Sequence, residues 1–218
     1  MDLQQTDPAP PASADWHAQE LLLMREIVRL VGRGPDAAPV LREMLHLMSE
    51  LLGLNRGRVV LVDPAPAGGA AQGPRTASIQ YAYGLTREEM ARGHYAWGEG
   101  ITGRVLATGQ PAIVQDVDAE PLFLFRSVRR ADLPQETVAF IALPIELGSV
   151  TVGVLACHRL RSRQRRLNDD LALLHVLATL VGQMLQLERL VAEQKQQLEA
   201  RNRVLTNALN AKTARYGL

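Results

Sequence analysis

Apolar residues recur along the chain first at helical spacing, then in short alternating runs, and finally at helical spacing again. From Trp16 onward, Leu21, Leu22, Met24, Ile27, Val28 and Val31 fit one helix face, and Gly32, Gly34 and Pro35 end it. Asp36 precedes a second helix with Val40, Leu41, Met44, Leu45, Met48, Leu51 and Leu52 on its apolar side and Gly53 as C-terminal cap. The middle of the chain has β character. Residues 58–63 and 78–83 read as strands, separated by a Pro, Gly and Ala-rich loop at 64–75. Thr86 and Glu89 have the spacing of a capping box at a helix start. Residues 102–108 read as a short helix, 112–117 as a strand, and 138–146 with 150–158 as a hairpin of two apolar strands.

From Asn168 the pattern is helical nearly to the end, with Leu171, Leu174, Leu177, Leu180, Val181, Met184, Leu187 and Val191 on the apolar face. Met184, Val191, Leu198 and Leu205 then recur every seven residues. The intervening positions Leu180, Leu187, Gln194, Arg201 and Ala208 are apolar only in part. The pattern predicts a parallel dimeric coiled coil with an imperfect seam, carried by Met184, Leu187, Val191, Leu198 and Leu205. The alternative is a helix that merely outruns its domain. Hairpins, mixed helices and no repeated βαβ unit make the fold class α+β with a largely antiparallel sheet.

Composition narrows the function classes. The 218 residues are 47% hydrophobic and 22% charged, as in ordinary globular proteins. Lys plus Arg number 24 and Asp plus Glu 23, and a net charge of +1 argues against a dedicated polyanion binder. A single cysteine, Cys157, excludes a disulfide within the chain and any Cys-rich metal site. No apolar run reaches the roughly 20 residues of a membrane span. Residues 1–15 lack the basic start and apolar core of a secretory signal, so the expected location is cytoplasmic.

The candidate motifs have competing readings. GEGITG at 98–103 spells G-x-G-x-x-G, with Asp118 near the spacing of a ribose-binding acid. Residues 92–97 do not read as the buried strand that must feed a dinucleotide turn, and Gly109 with Pro111 cuts the following helix short. A tight turn capping the helix explains the glycines. Cys157 lies among apolar strand neighbours, where a thiol behaves as a small hydrophobe, and His158 with His175 makes a poor metal set. Residues 158–166 (HRLRSRQRR) read as a solvated basic loop or a protein contact. Asp169 and Asp170 suit a helix start. Tyr81, Tyr83, Tyr95, Trp97, Phe123, Phe125 and Phe140 cluster in the central segment and line either a ligand cavity or a core. Arg104 and Arg126 are the nearest candidates to clamp an anion. No nucleophile, base and acid stand in a catalytic pattern.

The runs YGLTREEM at 83–90, GEGITGRVLATGQP at 98–111 and ALPI at 142–145, then the strand GVLA at 153–156, resemble a GAF domain. With the helix from Asp169, and with NRG at 55–57 and EPLF at 120–123, the chain is similar to the N-terminal sensor domain of NifA, AnfA and VnfA-type sigma-54-dependent activators. The resemblance covers residues 21–216. It implies a six-stranded antiparallel sheet with helices packed on one side. It also implies a non-enzymatic regulatory role, in which the domain restrains or releases an AAA+ ATPase through its exit helix. The implied organisation is a disordered leader at 1–18, a GAF sensor domain at 19–180 and a coiled-coil signalling helix at 181–218. Tyr83, Trp97, Arg104, Phe123, Arg126 and Phe140 form the expected ligand-binding face, for a small molecule that the residues do not name. The expected partners are a second copy, an ATPase domain in cis or a partner regulatory protein, with no direct DNA or membrane contact by this segment. A stand-alone, ligand-free adaptor is the alternative. The N-terminal cysteines of AnfA and VnfA have no counterpart in residues 1–20.

Overall fold

The computed structural model describes residues 12–64, 75–161 and 166–216. Residues 1–11 of the expected leader, most of the 64–75 loop and the centre of the basic run lie outside the described residues.

Two helices open the fold, α1 (Ala12–Val31) and α2 (Ala37–Leu52). Helix α1 begins at Ala12, ahead of the Trp16 start that periodicity suggests. Its buried face is also rotated from the expected one: Leu23 and Ile27 are buried, whereas Leu21 and Val28 face outward. Leucine and valine occupy two stripes of this helix, and periodicity alone does not say which one meets the core. Helix α2 follows expectation. The Asp36 side chain accepts from the Ala38 N–H, and Gly53 closes the helix in the left-handed region at φ 58°. Its buried Val40, Leu41, Met44, Leu45, Met48 and Leu52 each contribute about 2 kcal/mol of burial.

The sheet comprises β1 (Leu54–Val62), β2 (Thr76–Ala82), β3 (His94–Ala96), β4 (Ala112–Val114), β5 (Val138–Leu147) and β6 (Val150–Leu160). Its order is β3-β2-β1-β6-β5-β4, with every neighbouring pair antiparallel. Five strands are visible in the hydrophobic pattern. The sixth, β3, is an edge strand too short to display alternation. Short helices α3 (Arg87–Arg92) and α4 (Gly100–Thr108) interrupt the strands, and α5 (Leu167–Tyr216) ends the chain.

The sheet is covered on both faces. Helices α1, α2 and α5 pack with Val59, Ile141, Leu143, Leu155 and Cys157 in one core. Val60, Phe140, Ala142, Val154 and Ala156 face the other way, into a second core with α4 and the segment before β5. The helices are therefore not all on one side, as the resemblance implied. Strands β5 and β6 are consequently buried on both faces, and their sequences read as continuous apolar runs.

The GEGITG glycines serve packing. Gly98 and Gly100 take positive φ, and a Cβ on Gly103 would sit 2.3 Å from the Ala96 carbonyl oxygen. Helix α5 meets β5 as closely, since a Cβ on Gly182 would lie 2.5 Å from the Glu146 carbonyl oxygen. Part of α5 is apolar enough to pass for a membrane span, but 44% of that stretch is buried inside the fold, as in a core helix. Met184 belongs to this core at 7% exposure, so it is not free to serve the expected coil. Leu187, Val191, Leu198 and Leu205 remain 42–59% exposed, beside Leu190 and Val204.

Gly182→Val should push α5 off β5 and destabilise the chain by about 1–3 kcal/mol in denaturant unfolding. An unchanged midpoint would mean that this close approach contributes nothing.

Candidate functional site

Strand β1 changes pairing register with β6 between Asn55 and Arg58, and Arg56 in this irregular stretch takes φ 52°. Arg56 Nη1 donates to Glu89 Oε1 at 3.2 Å and Nη2 donates to the Asp132 carbonyl at 2.5 Å. One side chain thus ties β1 to α3 and to the turn before β5. Glu89 also completes, with Thr86, the capping box at the start of α3.

Arg58 points into the second core and is 2% exposed. Its cross-strand neighbours are Ala82 and Ala156, small residues that leave space beside it on the pleat. Its guanidinium carbon lies 4.8 Å from the centre of the Phe140 ring. Nε and Nη1 have no hydrogen-bond partner, and among the described residues no carboxylate forms an ion pair with it. Burial lowers its pKa, although nearby groups including Glu89 act in the other direction.

His158 stands directly across from Phe140 on β6 and is 3% exposed. Its ring lies 5.3 Å from Phe140 and 5.9 Å from Phe123. Neither ring nitrogen has a hydrogen-bond partner. Burial, then the charges of Arg58 and Arg56, holds its pKa well below the ordinary value, so the imidazole is neutral.

The segment before β5 closes over these groups. Phe123 meets Phe125 and Phe140 edge-on at 4.8 and 5.1 Å, and Phe125 adopts φ 46°. Arg92 donates to the carbonyls of Arg126 and Ser127 and so pins the far end of the segment. The cavity beside them, about 20 Å³ and partly open, is lined by Arg58, Tyr95, Thr102, Phe123, Phe125, Ser127 and Phe140 among others. That is room for a water or a group of similar width. A wider cavity of about 360 Å³ lies at the end of β1, β5 and β6, bounded by Arg56, Asp132, Leu133, Val138 and His158.

The six expected ligand residues do not form one face. Phe123, Arg126 and Phe140 line the small cavity. Arg126 is already engaged: it donates to the His94 carbonyl and forms a two-point pair with Glu99. That pair, with the Ala96 N–H, holds the Glu99 carboxyl down to about 2. Trp97 lies outside the cavity lining, and the Arg75 guanidinium sits 4.2 Å above its ring. Arg104 is exposed on α4, beside a separate groove with Thr108 and Glu120. Tyr83 packs on the helical side of the sheet, 4.8 Å from the His46 ring, and donates to Glu50 Oε1 at 3.2 Å.

Arg58 and His158 are absent from that expected set. The signal they leave is faint: one basic residue opening a β-branched run and one closing another. The reading of the basic run also needs correction. Arg159 is 5% exposed on β6, and it forms a buried ion pair with Asp170 in the first turn of α5. Asp170, at 1% exposure, is therefore more than a partner of the helix dipole. Cys157 behaves as a core hydrophobe, its thiol pushed up to about 12 by burial.

A six-stranded antiparallel sheet with helices on both faces and a cavity on one of them defines a small α+β domain. The GAF domain family profile matches residues 36–185, and the chain belongs to that family. It is 36% identical over 178 residues to the Nif-specific regulatory protein of Azospirillum brasilense, covering 81% of this chain and 27% of that protein. It is 31% identical to the nitrogen fixation protein AnfA of Azotobacter vinelandii, covering 90% of this chain and 35% of that protein. The chain therefore spans about a third of the length of these relatives. Among solved structures, the A. aeolicus nlh2 GAF domain in an inactive state superposes with a TM-score of 0.65 at 23% identity, covering 79% of this chain and 98% of that one.

Two outcomes follow from the charge pairs. Asp170→Asn takes the carboxylate charge from a buried Arg159 and should cost about 3–5 kcal/mol in denaturant unfolding, whereas a loss under about 1 kcal/mol would make the pair dispensable. The Glu99 pKa is depressed, so its stabilisation is full above the ordinary 4.5 and lost as pH falls toward 2. Because that pair is about one-third exposed, the acid-side loss should amount to no more than about 1 kcal/mol. Comparing acid unfolding of wild type and Glu99→Gln measures it, and identical curves would refute it.

Proposed function

We propose that this chain is the sensory and regulatory GAF domain of a nitrogen-fixation-type transcriptional activator. It takes a small molecule or a partner protein at the Arg58–His158 face and passes the change on through α5. In this reading it acts in the cytoplasm, carries out no reaction itself, and controls an AAA+ ATPase domain in cis. The observation that carries the reading is the alternation of β6. The His158 ring packs against Phe123 and Phe140 of the small cavity's wall, and Arg159, the next residue, reaches Asp170 at the start of α5 on the other face of the sheet. A shift of β6 at the cavity is thereby a shift at the root of the helix.

The exposed Leu187, Val191, Leu198 and Leu205 on α5 support a pairing of two protomers along this helix, with Met184 left to the core. Leu21 and Val28 on α1 add apolar surface that one protomer does not cover. A regulatory role without chemistry is supported by relatives named as regulatory proteins and by the inert, buried Cys157.

One observation favours a ligand-free adaptor as the second reading. Phe123, Phe125 and Phe140 leave only about 20 Å³ beside Arg58, too little for a nucleotide-sized molecule without movement of the segment.

Sedimentation at tens of micromolar tests the coupling helix. The chain should run as a dimer and Leu187→Asp/Leu198→Asp as a monomer that still unfolds cooperatively. A monomeric wild type would remove helix pairing from the proposal. Fused ahead of an AAA+ ATPase domain, the wild-type chain should alter ATP turnover, and Arg159→Met/Asp170→Leu should not. Equal turnover by the two fusions would break the proposed route through β6.

A further inference from the structure

A buried guanidinium without a counter-ion is the least expected feature of this molecule. Arg58 is 2% exposed, with Nε and Nη1 unpartnered. Glu89, the carboxylate that acts on its charge, is engaged by Arg56 and by the Thr86 backbone. The other basic group on this face, His158, is also buried and unpartnered. Taking a charge out of water is strongly unfavourable unless an opposite charge and hydrogen bonds meet it. The Phe140 ring face offsets only part of that cost. For stability alone, an apolar residue of similar volume would serve better at this position.

The surroundings have the form of an anion site. Beside Arg58 is a cavity of about 20 Å³ with the polar side chains Thr102 and Ser127 on its wall and aromatic rings around the rest. Both hydroxyl residues are buried. The room admits a body about as wide as a water molecule. A planar oxyanion of three or four heavy atoms meets that limit edge-on, and it can lie between a guanidinium and stacked rings. A citrate-sized anion does not fit while the Phe123–Phe125 segment stays closed.

We infer that Arg58 is the anchor of a binding site for a small planar oxyanion, of the size of formate, nitrate or bicarbonate, held between β1, β5 and the Phe123–Ser127 segment. The inference rests on the sensory reading above for its regulatory meaning and on the Arg58 environment alone for its chemistry. The anion supplies the missing negative charge and the acceptors for the guanidinium. Ser127 and Thr102 offer hydroxyl donors. Carboxylate and inorganic oxyanion share this chemistry, and a titration separates them.

The whole chain is melted against sodium formate, nitrate and bicarbonate, with ionic strength held by gluconate and with citrate as the oversized control. At least one small anion should raise the melting temperature saturably, by about 5 °C at a hundredfold excess over Kd. Arg58→Met should match or exceed wild type without anion and lose the response. Arg104→Ala, an exposed change on α4, should respond as wild type does. No saturable shift with any small anion overturns the inference, as does a shift that survives in Arg58→Met. A citrate response equal to that of the small anions overturns the size limit. Should Arg58→Met fail to fold, the Nε–H resonance of Arg58 in the wild-type chain gives the answer, since it must move with the titration. A missing anion response leaves the dimer and ATPase tests of the sensory reading standing. A monomeric chain that still binds nitrate through Arg58 separates the two in the other direction.

Discussion

Burial of β5 and β6 on both faces is the constraint on which the rest of the structure depends. A strand with water on one side can carry polar residues at every second position. These two cannot, because α1, α2 and α5 cover one face while α4 and the Phe123 segment cover the other. Each polar side chain there has to find a partner or remain at a cost of several kcal/mol. Arg159 has Asp170. His158, on the opposite face, has none among the described residues, nor do Nε and Nη1 of Arg58 on the neighbouring strand β1. The difference marks one pair as architecture and the other two residues as a candidate site.

The same constraint gives the domain its internal connection. Consecutive residues of a strand point to opposite faces, so a strand sandwiched between two cores touches both through neighbouring side chains. Cys157, His158 and Arg159 on β6 reach the helical core, the Phe123 and Phe140 rings of the cavity wall, and the root of α5 in turn. Gly182 adds a second contact further along, where α5 rests on the Glu146 carbonyl with no side chain between them. Helix α5 is thus held to the sheet at its first turn and at its crossing of β5. Beyond Met184 it leaves the core, and its remaining leucines and valines are exposed. A helix gripped at one end and free at the other suits the transmission of small displacements in the sensory reading.

Much of the fold is legible in the sequence, and the reasons are local. Asp36, Gly53, Thr86 with Glu89, and the glycines at 98–103 act through their own neighbours, and each does what its spacing suggests. The order of elements and the long final helix are equally plain, because period and β-branching decide them. Readings that depend on distant partners fare less well. Leu21 and Val28 carry the right period but lie on the outer side of α1, and Met184 has the heptad spacing but belongs to the core. Strand β3 is visible only in its pairing with β2. The site is legible only in part. Aromatic clustering identifies Phe123 and Phe140, whereas Tyr83 lies on the far face of the sheet. Arg58 and His158 are chemically unusual only because of what surrounds them, and the surroundings come from β5 and from the segment before it.

Hydrogen exchange on α5 tests most directly whether the cavity face and the helix are one coupled unit. Amide exchange across residues 167–184 is compared in the wild-type chain with and without saturating small oxyanion, and in Arg58→Met. Coupling through β6 predicts that the anion slows exchange both in β1 and β6 and in the first turns of α5, and that Arg58→Met abolishes both effects. Protection confined to the cavity strands, with α5 exchanging at the same rate throughout, would contradict it.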